Sequence, residues 1–305
     1  MGTPEPAVPT LKKIIEDGHE VVAVWTQPDR PAGRGKKLKA PPVKEFALEK
    51  GIEVHQPTKI KNKAARELFL SHNADAAVVV AYGRILPKSF LEAFPKGCIN
   101  VHFSLLPKYR GAAPVNWAIV RGETKTGITT MNMDAGLDTG DILLQSETGI
   151  GENENAVELM QRLEEMGAEL LSETLAKIET IEPTEQDHEK ATYAPLMSKD
   201  DGIIDWNKTA KEINDQIRGF QPFPRSFTNY KDQKLTIWKA EIFEDAEKTN
   251  FQNGEIFEAN GDELLISCGE QTILKVNELQ IEGKRRMETR DFLNGVQIEI
   301  GVVLG

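Results

Sequence analysis

The sequence predicts an α/β protein built on a doubly wound, mostly parallel sheet, followed by a smaller β domain. Three observations predict it. Continuous apolar runs at 21–25 and 76–82 are separated by stretches of helical periodicity, the pattern of strands covered on both faces. The length of 305 residues suits two domains at about 150 residues each. After about Ile203 the texture changes to short β runs punctuated by Gly, Asn and Asp, as in a small barrel or sandwich.

The elements follow in order. Residues 9–17 place Leu11, Ile14 and Ile15 at helical spacing, and Gly18 stops the helix. Ahead of it Gly2-Thr3-Pro4 has the look of a first turn with no strand feeding it. The expectation is that a short apolar strand precedes it in the natural protein, since its absence exposes two strand edges. Residues 21–25 form a strand, and residues 43–50 form a helix closed by Gly51. Strands are expected at 76–82, 98–103 and 127–133. One long amphipathic helix is expected over 155–181, with Leu159, Leu163, Met166, Leu170, Leu171 and Leu175 on one face. The polar stretch 182–190 marks the domain boundary. Beyond it come a helix at 210–220 and strands at 235–238, 254–257, 264–268 and 272–279. The division expected is therefore 1–181, a linker 182–203, and 204–305.

Composition excludes several classes. No apolar run approaches the roughly 20 residues of a membrane helix. The opening MGTPEPAVPT lacks the order of a signal peptide, so a cytoplasmic location is expected. Cys98 and Cys268 are too few for a disulfide scaffold or a cysteine zinc site. His19, His55, His72 and His188 show no ligand-like spacing, and no metal is expected. A net charge of −11 argues against a chain that coats nucleic acid over its whole surface, though a local basic patch can bind it.

The densest run is Asn100-Val-His102-Phe-Ser104-Leu105-Leu106-Pro107, followed by YRGAAP at 109–114. Strand alternation puts Asn100 and His102 on one face. A lone histidine there is more often structural. Here a tight turn lies just beyond it, and a Gly-Asp loop around Asp138 and Asp141 lies between two apolar strands. An asparagine can donate to a developing oxyanion, a histidine can move a proton, and an aspartate can orient the imidazole. No serine or cysteine stands as an obvious nucleophile, which favours direct acyl transfer to an amine.

Two basic runs stand out from the acidic whole. Between residues 30 and 44 lie Arg30, Arg34, Lys36, Lys37, Lys39 and Lys44, with no acidic residue among them. Gly33 and Gly35 make the tip pliable, while Pro28, Pro31, Pro41 and Pro42 are expected to stiffen the flanks and prevent regular structure there. Such a loop can order on an anionic partner, and it lacks the context of a P-loop. The second run is Lys284, Arg285, Arg286 and Arg290.

Asn-x-His with SLLP (104–107), then LDTGD (137–141), resembles the folate-dependent formyltransferases. GTPE (2–5), TQPDRPAGRGKK (26–37), VVVAYGRILP (78–87), IDW (204–206), IRGFQPFP (217–224), IWKA (237–240) and LQIEGK (279–284) point to the branch acting on tRNA. The resemblance spans nearly the whole chain. It implies a Rossmann-like catalytic domain, an OB-like C-terminal barrel, and transfer of the formyl group of 10-formyltetrahydrofolate to initiator methionyl-tRNA. Carried over by position, Asn100, His102 and Asp138 are catalytic. Ser104, Leu105, Leu106 and Pro107 contact folate, and Tyr82, Gly83, Ile85 and Leu86 line its pterin pocket. Arg30, Arg34, Lys36, Lys37, Lys284, Arg285 and Arg286 meet tRNA, with Arg34 at the position of a key arginine. Phe103 departs from the small residue usual in the family and faces away from the trio. Pro6 replaces a usual Phe, and the tail 296–305 matches nothing in the pattern. The alternatives are a formyltransferase or hydrolase working on other substrates, such as a nucleotide sugar, and an inactive RNA-binding relative.

Overall fold

A computed structural model describes residues 1–32, 35, 37–244 and 251–305. The chain divides into two compact units. The first comprises 1–114, 125–149 and 160–194, and the second 115–124, 150–159 and 195–305.

In chain order the first unit contains helix α1 (Val8–Glu16), strand β1 (Val24–Trp25), the ribbon β2 (Arg30–Ala32) and β3 (Lys37–Lys39), and helix α2 (Pro42–Glu49). Strand β4 (Val54–His55), helix α3 (Lys63–Leu70), strand β5 (Ala77–Val79), helix α4 (Lys88–Leu91), and strands β6 (Cys98–His102) and β7 (Arg110–Gly111) follow. Strands β8 (Lys125–Asn132) and β9 (Ile142–Gly149), helix α6 (Ala156–Ala176) from Met160 onward, and β10 (Tyr193–Ala194) complete it, while helix α5 (Pro114–Val120), ahead of β8, is counted with the second unit from Val115 on.

β1 pairs in parallel with β4, and β5 in parallel with β6. Met1 and Gly2 run between β1 and β5. Gly2 donates to the Trp25 carbonyl at 3.0 Å, Val80 donates to the Met1 carbonyl at 2.9 Å, and Gly2 bridges Val80 in parallel. These two residues therefore occupy the sheet position just ahead of the first turn. The expected parallel order then breaks. β8 adds antiparallel to β6, and β9 antiparallel to β8. The apolar run at 127–133 reads as a covered strand whichever way it points, so direction was not visible in it.

Two further expectations are corrected. The prolines around the basic run do not prevent regular structure: β2, with Pro31 inside it, pairs with β3. Pro42 opens α2 in its first turn, where a helix needs no N–H donor. The long helix stops at Ala176, short of 181, and continues as turns. An apolar cluster of Trp25, Phe69, Tyr82, Phe90, Phe94 and Cys98 fills one part of this unit, with Phe69 and Phe90 stacked at 4.1 Å. Val101 and Phe103 face α6. A Cβ built on Gly167 of α6 would lie 3.0 Å from Val101 and 3.7 Å from Phe103. Phe103 thus packs on the helix, on the strand face opposite Asn100 and His102.

In the second unit α7 (Ala210–Gly219) precedes β11 (Ser226–Tyr230), β12 (Gln233–Ile242), β13 (Ile256–Asn260), β14 (Glu263–Ser267), β15 (Ile273–Ile281), β16 (Met287–Glu288) and α8 (Thr289–Gly295). The strands form one antiparallel sheet, in the order β11-β12-β15-β14-β13 with β16 beside β15. Ile204, Trp206, Ile213, Ile217, Leu274 and Phe292 belong to its core. The tail is built in: Ile256 and Val302 are joined by a 2.9 Å backbone bond, and Leu304 is buried. Among the described residues no helix is long and apolar enough to cross a membrane.

Candidate active site

Strand β6 delivers Asn100 and His102 to one face, both buried, at 9% and 6% exposure. The Asn100 side-chain amide makes no hydrogen bond to any described residue. His102 has an oxygen at each ring nitrogen. Nε2 lies 2.9 Å from the Tyr109 carbonyl, to which it donates. Nδ1 lies 3.8 Å from Oδ2 of Asp138. At that distance the carboxylate acts by charge and not by hydrogen bonding.

Asp138 sits in the loop between β8 and β9 with φ 53°, in the left-handed region. For a residue other than glycine this costs about 1 kcal/mol or more, so its surroundings must hold it. The Gly111 N–H donates to Oδ2 at 2.7 Å. Gly111 itself has φ 120°, and a Cβ there would lie 2.5 Å from the Ala194 carbonyl oxygen. Only glycine lets β7 and β10 approach this closely.

The turn from Ser104 to Pro107, with a cis bond at Leu106–Pro107, is clamped by two residues the sequence did not single out. Thr129 Oγ1 donates to the Ser104 carbonyl at 2.7 Å and accepts from the Leu106 N–H at 3.1 Å. Gln145 Nε2 donates to the Leu106 carbonyl at 2.9 Å. Leu105 is half-buried and Leu106 buried. Thr129 lies on β8 directly across from His102, a pairing that required knowing the strand direction.

The 82–86 stretch is held by Gln27, whose Nε2 donates to the carbonyls of Tyr82 (3.1 Å) and Gly83 (3.2 Å). Gln27 Oε1 accepts from Arg84 at 3.1 Å. Tyr82 and Leu86 are buried, and burial raises the Tyr82 phenol above its usual range. Ile85 is 75% exposed, beside an open cleft of about 620 Å³ that Thr58, Ile60 and Arg84 also line. Asn100, His102 and Asp138 do not line that cleft.

The basic runs are less free than their charge count suggests. Arg34 and Lys36 lie outside the described residues. Arg30 and Lys37 are exposed in the β2–β3 ribbon. Lys44 is on α2, paired with Asp29 at 2.8 Å. In the second unit Lys284 and Arg285 are exposed at a turn, whereas Arg286 pairs with Glu278 and lies 4.5 Å over the Trp238 ring. Arg290 reaches Asp262 at 3.4 Å. Among the described residues no group of three or more His, Cys, Asp or Glu side chains could hold a metal ion.

The formyl transferase family model matches residues 1–175, and the model of the family's C-terminal domain matches 196–297. A methionyl-tRNA formyltransferase of Acetivibrio thermocellus is 47% identical, covering 100% of this chain and 98% of that protein. One of Clostridioides difficile is 48% identical over the same shares. A sugar 3N-formyl transferase crystallised in the presence of dTDP and 5-N-formyl-THF is similar with a TM-score of 0.67. It is 21% identical and covers 93% of this chain and 97% of that one. An N-formyltransferase of Helicobacter canadensis has the same TM-score at 22% identity, over 90% and 96% of the two chains. At these identities the last two share the fold.

Proposed function

Because this chain belongs to the formyl transferase family, we propose that it transfers the formyl group of 10-formyltetrahydrofolate to the free amino group of methionyl initiator tRNA. The full-length likeness to methionyl-tRNA formyltransferases carries this reading. Residues 1–181 supply the chemistry and 204–305, as an OB-like module, meet tRNA, with 182–203 joining them. The enzyme works in the cytoplasm.

10-Formyltetrahydrofolate supplies an activated formyl group. The residues present suit it: β6 carries an amide with no hydrogen-bond partner among the described residues and an imidazole, and the β8–β9 loop brings a carboxylate to 3.8 Å from that imidazole. Asn100 donates its N–H to the formyl oxygen as negative charge builds there, an interaction stronger in the transition state than before it. His102 already donates Nε2–H to Tyr109, so Nδ1 is its basic atom. Nδ1 takes the proton that the methionyl amine loses as its nitrogen bonds to the formyl carbon. Asp138 balances the positive charge His102 then carries. The proton returns to the folate nitrogen as its bond to the formyl carbon breaks. Ser104 to Pro107 and Tyr82, Gly83, Ile85 and Leu86 hold the folate. Arg30, Arg34, Lys36, Lys37, Lys284, Arg285 and Arg286 hold tRNA phosphates, contacts that position without reading sequence.

The test is incubation with 10-formyltetrahydrofolate and charged initiator tRNA, with a dTDP-linked amino sugar as the competing acceptor. Formyl-methionine is the expected product, and formylation of the sugar alone would overturn the reading. Asn100→Ala should lower kcat by about 10²–10³-fold. His102→Ala should lower it by about 10²–10⁴-fold, and Asp138→Ala should lower it as well. Wild-type turnover in any of the three removes that residue from the mechanism.

A further inference from the structure

The segment following α6 is laced to the site along its length. Thr184 and Ile142 exchange two backbone bonds, both 2.8 Å. Thr192 accepts at its Oγ1 from the Tyr109 N–H (2.9 Å) and at its carbonyl from the Arg110 N–H (2.8 Å). Between these two anchors lies Gln186, 3% exposed in a run that is otherwise polar and open.

Gln186 uses its whole hydrogen-bonding capacity. Nε2 donates to the Asp138 carbonyl at 2.9 Å and to the Gly140 carbonyl at 2.7 Å. Oε1 accepts from Arg110 Nε at 3.1 Å and Nη2 at 2.7 Å. A primary amide has two N–H donors and one oxygen with two lone pairs, and all four are engaged. Glutamate would keep the Arg110 contacts and lose both donors; methionine would lose everything but the volume. The two carbonyls flank Thr139, so pinning them fixes the turn that puts Asp138 at positive φ. Arg110 directly precedes Gly111, whose N–H binds the Asp138 carboxylate. Backbone and carboxylate of Asp138 are thus held by one frame, with Gln186 at its centre.

We propose that Gln186 is a positioning residue of this site, holding Asp138 in the conformation from which its carboxylate faces His102. This rests on the catalytic role given to Asp138 above. Asp138 does the work on His102; Gln186 touches no reacting atom.

The test uses the full chain carrying Gln186→Met and, separately, Gln186→Glu. Both should lose about tenfold to a hundredfold in kcat while KM for 10-formyltetrahydrofolate and for methionyl-tRNA stays within about threefold, as expected when a reacting group is displaced and binding is not. In an Asp138→Ala background the same substitutions should change kcat by less than about twofold, since groups acting through one residue are not additive. Independently of turnover, exchange of the Gly111 amide hydrogen should speed up by about tenfold in both variants while the amides of α1 keep their protection. Wild-type kcat in both variants would overturn the proposal. So would an equal loss in the Asp138→Ala background, unchanged Gly111 exchange, or failure of both variants to fold. If the unaltered chain forms no formyl-methionine, the functional reading falls, and Gly111 exchange still decides whether Gln186 holds Asp138.

Discussion

Cys98 is 2% exposed and Cys268 is fully buried, and both are free thiols. Burial pushes the Cys98 thiol up to about 11 and the Cys268 thiol up to about 12. Only the thiolate reacts, so neither should be titrated by Ellman's reagent in the folded protein at pH 8, and two thiols should appear in denaturant. Labelling of either without denaturant would mean that its cover opens. At this scale the sequence reveals what alternation and composition control. Asn100 and His102 share a face because strand residues two apart do, and Phe103 faces the helix for the same reason. Gln186 escaped notice for a physical reason. Its Nε2 binds backbone carbonyls, which every residue has, and its Oε1 binds Arg110, 76 residues away in the chain, so no local pattern of side chains betrays its partners. The pairing of Arg286 with Glu278 was hidden differently, because the cross-strand register of β15 and β16 brings them together.

Helix α7 shows what a local motif can specify. Thr209 caps it by accepting from the Glu212 N–H, and the Glu212 side chain reaches back to the Thr209 N–H, forming a capping box. The second of these contacts holds the Glu212 carboxyl below its usual range. Thr209→Ala should cost about 1 kcal/mol, read as a lower midpoint in urea at unchanged slope. An unchanged midpoint would mean that burial alone fixes the helix. About half of the elements were legible, because helical spacing and apolar runs are one-dimensional signals; α3, α4, α5 and α8 were not among them. β11 was not legible, since the polar Ser226 and Thr228 occupy two of its three buried positions. The direction of β8 was not either, because hydrogen-bond geometry sets it after collapse.

Stability of the whole chain responds to pH through Glu164 on α6. Burial first, then the carboxylates of Glu5 and Glu165, push it up to about 7 from an ordinary 4.5. The folded chain therefore holds this proton more tightly than the unfolded chain. The stabilisation is complete below about 4.5 and is lost as pH rises through about 7. Glu164→Gln should raise Tm by about 2–4 °C at pH 8 and give no advantage at pH 4. A gain independent of pH would assign it to another cause. The net charge of −11 sharpens the tRNA question, because binding must be local against an unfavourable global field.

The lacing of residues 184–194 onto the site bears on how such chains are inherited. The family's N-terminal match ends at residue 175, so Asn100, His102 and Asp138 fall on one side of that border and Gln186 on the other. A recombination event joining the first 175 residues of one relative to the remainder of another would transmit Asn100, His102 and Asp138 from one parent and Gln186 from the other. If Gln186 holds Asp138 as proposed, exchange of whole modules should succeed only between parents whose frames agree. On that reading, the stretch that looks like a spacer would be a compatibility locus between the two halves of the gene.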